Sequence, residues 1–90
     1  MELKTIQGHL LSLDGWSYDD SSKSIQKEFM FKSYMKNIGF VNAIAWIANK
    51  ENHHPDLEVS FSRCKVSLTT HDAGGVSEKD FKMAHAIENL

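Results

Sequence analysis

The sequence predicts an α+β fold in which helices cover one face of a four-stranded antiparallel sheet. Two observations predict this class. Apolar residues follow a helical period in three segments and a strand-like period in four others. The four strand-like segments fall into two pairs, one on each side of a long apolar helix, and such pairing favours an α+β arrangement. We expect one domain over residues 1–90, since a chain of this length supports a single core.

The N-terminal third predicts a helix and then a hairpin. Four apolar residues recur at helical spacing, namely Leu3, Ile6, Leu10 and Leu13. Gly15 is expected to end this short amphipathic helix. Residues 16–19 and 25–31 follow as two strands, because the isoleucine and the two phenylalanines of the second segment share one strand face. The polar residues 20–22 form the predicted turn between them.

A long helix is predicted from Tyr34 to about Asn52, with Ser33 as its N-terminal cap. It ends there because the proline further on disfavours helical geometry at the residue before it. Nine of the eleven residues from 38 to 48 are apolar. They contribute to two stripes, one of Tyr34, Ile38, Val41, Ala45 and Ala48 and a second of Phe40, Ile44 and Ile47. The first stripe is enough to cover a small sheet. The additional apolar surface of the second stripe therefore predicts contact with another subunit. The alternative is that the N-terminal segment of the same chain covers it.

The C-terminal half predicts a second hairpin and a final helix. Residues 57–61 and 64–70 read as two strands, and the second alternates apolar with polar residues. Ser62-Arg63 is the predicted turn between them. A further turn is predicted at Gly74-Gly75, and Ser77 is expected to cap the last helix.

Three of the five histidines, His53, His54 and His71, fall within 28 residues that also contain Asp80 and the only proline. The ordinary pKa of histidine, about 6.5, suits proton transfer near neutrality, so the cluster indicates acid-base chemistry. Each residue also has a plain structural explanation. The adjacent pair fits a polar cluster at a helix end, and His71 fits a solvated residue at a strand end on the polar face. Asp80 fits a capping residue three positions after Ser77. Metal binding by the same side chains is a further hypothesis.

The spacing of these residues is specific. His53-His54-Pro55 is followed after five residues by the aromatic Phe61, after nine more by His71 and after eight more by Asp80. This pattern resembles the pterin-4a-carbinolamine dehydratases. The surrounding segments 52–57, 66–71 and 75–80 are also similar to the core of that family, and a weaker resemblance extends back to Gly15-Trp16.

The resemblance implies an enzyme of tetrahydrobiopterin recycling that removes water from a 4a-hydroxytetrahydropterin and gives a quinonoid dihydropterin, with no metal and no redox cofactor. Dehydration needs an acid for the departing hydroxyl and a base for the ring system, and His53 and His71 are implied as this catalytic pair. The residues implied in substrate binding are His54, Pro55, Phe61 and Asp80. In that role Asp80 would hold an imidazole or a ring nitrogen, and Phe61 would form an apolar wall.

The resemblance also leaves an alternative function open. Some family members act as dimerisation partners of a transcription factor through an apolar helix surface, which would suit a weakly catalytic or non-catalytic binding protein. One departure favours this alternative, because many members carry an acidic or other charged residue four positions before the first histidine, where this chain has Asn49. On a regular helix Asn49 would share a face with His53, but an amide does not stabilise an imidazolium by charge. Glu51 is expected to point elsewhere.

Composition and charge argue against several other classes of protein. The chain is 41% apolar with a formal charge of -2 at pH 7, which favours neither a disordered chain nor a basic nucleic-acid surface. No run approaches the roughly 20 apolar residues of a membrane span, and no signal peptide is recognised. The single cysteine, Cys64, is expected to be a buried, inert thiol. These features predict a cytoplasmic protein. The family resemblance implies a small pterin as its substrate, and the apolar surplus of the long helix predicts further copies of the same chain as partners.

Overall fold

The structure, a computed structural model, describes all of residues 1–90 and contains three α-helices and four strands in the predicted order. The helices are α1 (Leu3–Leu10), α2 (Tyr34–Glu51) and α3 (Glu78–Glu88). The strands are β1 (Ser17–Asp19), β2 (Ser24–Met30), β3 (Asp56–Val59) and β4 (Arg63–Leu68). A 3-10 turn spans His71–Ala73. Each predicted helix and strand is therefore confirmed, with bounds that differ by a few residues.

The four strands form one antiparallel sheet in the order β1-β2-β4-β3. The central strands β2 and β4 are in a register that places Ile25 opposite Leu68 and Phe29 opposite Cys64. The edge strand β3 places Leu57 opposite Val66 of β4. Because successive side chains of a strand point to opposite faces, this register collects the apolar side chains on one face of the sheet.

The core lies between that face and the helices. Four side chains of β2 and β4 are 0% exposed, namely Ile25, Cys64, Val66 and Leu68. Ile6 of α1, Ile44 of α2, and Phe81 and Ile87 of α3 belong to the same cluster. Full burial of one such side chain stabilises the fold by about 1.5–3 kcal/mol. The opposite face carries polar residues, so the prediction of helices on one face is confirmed.

The face of α2 that meets the core takes residues from both predicted stripes. Ala48 of the first stripe and Ile44 of the second are buried, and Val41 of the first packs against the core together with Phe40 and Ile47 of the second. Tyr34 and Ala45 of the first stripe are exposed. Most of the supposed surplus therefore covers the protein's own sheet.

A buried, hydrogen-bonded side chain near the start of α2 fixes the rotation of this helix about its own axis. Asn37 is 0% exposed. Its side-chain amide donates to the Ser60 carbonyl at 2.7 Å and to the Arg63 carbonyl at 3.0 Å. These bonds tie α2 to the β3–β4 hairpin, and Ile44 and Ala48 follow Asn37 on the same side of the helix.

Candidate active site

The end of α2 determines where His53 points. The helix stops at Glu51, and Asn52 adopts the left-handed conformation with φ 51° and ψ 43°. Asparagine enters this region at less cost than most residues. After this turn the His53 N–H donates to the Ala48 carbonyl at 3.2 Å. The imidazole of His53 thereby leaves the surface of α2 and meets α3.

The partner of His53 is Asp80, in the first turn of α3. Its Oδ1 atom lies 2.6 Å from Nε2 of His53, and the two side chains are 0% and 13% exposed respectively. The other carboxylate oxygen accepts hydrogen bonds from the Thr70 hydroxyl at 2.8 Å and from the Ser77 N–H at 2.9 Å. The second of these bonds completes a capping box with Ser77, so the predicted capping role is confirmed. One buried carboxylate thus caps α3 and binds an imidazole.

The exposed edge of His53 opens into a small cleft between α2 and α3. The cleft has a volume of about 190 Å³ and is lined by Glu51, His53, Lys79, Lys82 and Met83. Lys82 forms an ion pair with Glu51 at 2.9 Å. The hydrogen bond from Lys82, together with its charge, lowers the pKa of the Glu51 carboxyl below its ordinary value. The cleft beside His53 therefore contains two lysines and an ionised carboxylate.

The neighbours of the two adjacent histidines differ from the prediction. Asn49 lines the cleft of His54, whereas Glu51 lines the cleft of His53. The expectation that Asn49 shares a face with His53 and that Glu51 points elsewhere is wrong. It assumes a regular helix up to His53, but the left-handed turn at Asn52 rotates the chain out of the helical register.

His54 lines a second and larger cleft. This cleft has a volume of about 350 Å³, and its lining is mostly apolar: Ile44, Ala45, Ala48, Asn49, His54, Pro55 and Leu57. It lies between α2 and the edge strand β3. His54 itself is exposed, whereas Pro55 and Leu57 are partly buried.

His71 is exposed, as expected, but the strand before it ends earlier than the predicted residue 70. Strand β4 ends at Leu68, and His71 begins the 3-10 turn, where it is exposed. It lines a third cleft of about 310 Å³ with Lys23, Gly74 and Gly75 among its neighbours. His71 directly follows Thr70, whose hydroxyl binds Asp80. The same hydrogen-bond network therefore reaches both His53 and the residue before His71.

Phe61 is at the opposite end of α2 from the histidine pair. Its side chain is 71% exposed. Its ring is stacked on that of Tyr34, the first residue of α2, with centroids 6.2 Å apart. An 18-residue helix is about 27 Å long. Within one chain Phe61 therefore lines none of the three clefts that contain the predicted histidines.

Sequence reasoning missed Thr70 as a part of the site. A signal for it exists in the strand pattern. The apolar face of β4 carries Cys64, Val66 and Leu68, and Thr70 continues this period of two. A hydroxyl at a strand position that faces the core needs a hydrogen-bond partner. Thr70 is only 9% exposed, and its hydroxyl donates to Asp80.

The remaining histidines and the cysteine lie elsewhere. His9 stacks on Phe81 with ring centroids 4.6 Å apart, and His85 is exposed in the last turn of α3. Cys64 is fully buried, and this burial raises the pKa of its thiol. No group of three or more His, Cys, Asp or Glu side chains is arranged to hold a metal ion. None of the helices combines the length and apolar character of a transmembrane span.

The chain is similar to proteins of one family along its whole length. The model of the family described as pterin 4 alpha carbinolamine dehydratase matches residues 1–90. A protein of Nitrosospira multiformis is 51% identical over 78 residues, which cover 87% of this chain and 67% of that protein. A protein of Aquifex aeolicus is 48% identical over 85 residues, which cover 94% and 84% of the two chains. Both carry the provisional name pterin-4-alpha-carbinolamine dehydratase.

Two solved structures have the same fold. The crystal structure of a transcriptional coactivator/pterin dehydratase from Brucella melitensis matches with a TM-score of 0.94 and 34% identity, over 99% of this chain and 95% of that chain. A pterin dehydratase-like protein identified as a RuBisCO assembly factor in the alpha-carboxysome matches with a TM-score of 0.72 over 83% of this chain and 87% of that chain. At 18% identity, the second match shows the fold alone.

Proposed function

The chain belongs to the pterin-4a-carbinolamine dehydratase family, and we propose that it removes water from a 4a-hydroxytetrahydropterin to give a quinonoid dihydropterin. The observation that carries this proposal is the buried pair of His53 and Asp80 at the edge of a cleft. The reaction needs a proton for the departing hydroxyl and a base that takes one proton from the ring system. In this proposal the enzyme serves tetrahydrobiopterin recycling and uses neither a metal nor a redox cofactor.

His53 is proposed as one of the two proton-transfer groups. A positioned imidazole beside a carboxylate is a common arrangement in general acid-base catalysis, because the carboxylate fixes the ring and stabilises its protonated form. The 2.6 Å contact with Asp80 and the nearly complete burial of that carboxylate support this role. Asp80 contributes through His53, since its own oxygens are buried and occupied by three donors.

His71 is proposed as the second proton-transfer group. It is exposed in a turn, so it is accessible to a bound ligand, and it is joined to the His53 site through Thr70 and Asp80. The structure does not place the three histidines around one cleft, and the proposal therefore requires that a bound pterin bridge them.

The apolar cleft beside His54 is proposed to hold part of the pterin. Its lining by Pro55, Leu57 and Ala48 suits the flat face of a heterocyclic ring, while His54 and Asn49 offer polar atoms at its rim. Phe61 was expected to form an apolar wall of the same site. Because it lies at the far end of α2, that role requires the Phe61 of a second copy.

The exposed surface of α2 favours a second candidate function. Met35 is 83% exposed and Trp46 is 74% exposed, and large exposed apolar side chains on one helix suggest a contact surface. We propose that this surface supports self-association. In a weakly catalytic chain it would serve a binding role instead, and the relative from Brucella melitensis is described as a coactivator as well as a dehydratase.

Turnover by metal-free protein distinguishes the two functions. After dialysis against a chelator, the protein should dehydrate a 4a-hydroxytetrahydropterin faster than the uncatalysed reaction, as followed by the absorbance of the quinonoid product. Zinc added back should not change the rate. The absence of any acceleration would leave the binding role as the better proposal, and activity that returns only with zinc would contradict the proposed proton-transfer mechanism.

A further inference from the structure

Three side chains form a buried hydrogen-bond chain that ends on His53. The Ser77 hydroxyl lies 2.6 Å from the Thr70 hydroxyl, and Thr70 lies 2.8 Å from Oδ2 of Asp80. Oδ1 of Asp80 lies 2.6 Å from Nε2 of His53. The chain joins the N-terminal cap of α3, the end of the central strand and the loop after α2.

The hydrogens in this chain have only one consistent direction. The Thr70 hydroxyl has a single hydrogen and an ionised carboxylate only accepts, so Thr70 donates to Asp80. The contact between the two hydroxyls then requires that Ser77 donate to Thr70. The Ser77 oxygen in turn accepts from the N–H of Lys79 at 3.3 Å. Every hydrogen therefore points along the chain towards the carboxylate.

The same logic fixes the hydrogen of the imidazole. Because Oδ1 of the carboxylate only accepts, Nε2 of His53 must be the donor of their hydrogen bond. The neutral ring therefore carries its hydrogen on Nε2 and none on Nδ1. No other side chain or backbone group of the protein hydrogen-bonds to this ring. Nδ1 is then the atom free to exchange a proton with a ligand.

We propose that Thr70 is a positioning residue: together with the Ser77 N–H it fixes Oδ2 of Asp80, so that Oδ1 stays directed at Nε2 of His53 and favours the Nε2–H tautomer. Ser77 supports Thr70 by saturating its oxygen. This inference rests on the proposed function only where it concerns turnover. The orientation of Asp80 and the tautomer of His53 are properties of the protein without substrate.

Other charged side chains also lie near His53. Glu51, Lys79 and Lys82 line its cleft from α2 and α3, and Asp80 contacts its Nε2 atom at 2.6 Å. Glu51 and Lys82 are paired with each other. None of these three cleft residues hydrogen-bonds to His53, so a change at Thr70 acts on the ring through Asp80.

The test compares Thr70→Val, which keeps the shape and removes the hydroxyl, with Thr70→Ser, which keeps the hydroxyl. Nitrogen-15 NMR of the His53 ring, in protein without substrate, reports which nitrogen carries the hydrogen. In the unaltered protein and in Thr70→Ser the Nε2–H form should predominate, and in Thr70→Val the Nδ1–H form should appear. In turnover, Thr70→Val should lower kcat by roughly 10- to 100-fold, which corresponds to one hydrogen bond to a charged group, with KM nearly unchanged.

A second pair of variants keeps the test informative if Thr70→Val does not fold. Ser77→Ala removes a helix cap and one member of the chain, whereas Ser33→Ala removes the matching cap of α2 and leaves the chain intact. Only Ser77→Ala should alter the His53 tautomer. An unchanged tautomer in Thr70→Val, or in Ser77→Ala where Thr70→Val does not fold, would overturn the inference. A changed tautomer in a protein that shows no turnover would support it and refute the proposed function separately.

Discussion

Asp80 is fully buried, and its two carboxylate oxygens hydrogen-bond to different parts of the fold. Oδ2 accepts from the Ser77 N–H, which completes a helix cap, and from the Thr70 hydroxyl, while Oδ1 accepts the bond from an imidazole. The cap could be predicted from the spacing of Ser77 and Asp80 alone. The contact with His53 could not be derived from local pattern, because it joins residues 27 positions apart and depends on a left-handed turn at Asn52.

The first prediction at the residue scale concerns the proposed proton-transfer pair. His53→Ala and His71→Ala should each lower kcat by about 100-fold or more, the usual contribution of a general acid or base. His54→Ala should mainly raise KM, because His54 borders the apolar cleft proposed for the ring. His85→Ala is the control, since His85 is exposed and outside every cleft described. Small and equal effects on turnover at all four positions would show that the histidines are structural.

A second prediction concerns the ion pair at the mouth of the His53 cleft. Lys82 lowers the pKa of Glu51, so the folded protein binds less proton at this site than the unfolded chain does. The pair therefore contributes stability above the ordinary pKa of a glutamate, and this contribution is lost as the pH falls through the lowered value. Lys82→Met should raise the pKa of Glu51 in an NMR titration and flatten this part of the pH dependence of stability.

Lys79→Met is the matched control for that titration. Lys79 lines the same cleft but forms no ion pair within 4 Å. The pKa of Glu51 should stay close to its value in the unaltered protein. Equal shifts in both variants would mean that the general positive charge of the cleft, and not the contact with Lys82, determines the ionisation of Glu51.

At the scale of single elements, α2 is the part of the fold that positions the site. The sequence predicts its start at Tyr34 after the Ser33 cap and its end near Asn52, because a cap and a proline act locally. The sequence does not predict the rotation of α2 about its own axis. This rotation depends on the side-chain amide of Asn37, which donates hydrogen bonds to carbonyls of the β3–β4 hairpin. No local pattern reports such a contact, so the sequence does not predict that both stripes of α2 supply core residues.

The turn that ends α2 gives a third prediction. Asn52 has a φ of 51°, so Asn52→Ala should lower the free energy of unfolding by about 1–2 kcal/mol, the cost of this conformation for a residue with a Cβ atom and no local hydrogen bond. Asn52→Gly should be close to neutral, because glycine adopts this region freely. Urea denaturation measures both.

Activity provides the second readout for these variants. If the turn directs His53 towards Asp80, Asn52→Gly should retain turnover. Asn52→Ala adopts the same turn at a higher cost, so its folded fraction should also retain turnover. Loss of turnover in a folded Asn52→Gly protein would show that the left-handed turn alone does not direct His53 towards Asp80.

On the scale of the whole molecule, the sequence predicts the α+β class and the order of its elements because the pairing of strands follows from their apolar pattern. Its prediction for the site is less complete. His53 and Asp80 meet, but His54, His71 and Phe61 lie at other surfaces of the same chain. A spacing pattern names residue types and distances along the chain, and it carries no information about which chain of an assembly supplies them.

The last prediction therefore concerns assembly. We expect an oligomer at micromolar concentration in equilibrium sedimentation, held in part by the exposed apolar side chains of α2. Ile44 is unsuitable as a test, because at 1% exposed it belongs to the core and its replacement by a charge would prevent folding. Trp46 is 74% exposed, so Trp46→Glu leaves the core intact and should lower the mass towards that of one chain. Lys4→Gln on α1 makes the same change in net charge at another exposed position and should leave the mass unchanged. A monomeric mass for the unaltered chain would remove the basis for self-association, and with it the requirement that a second copy supply Phe61.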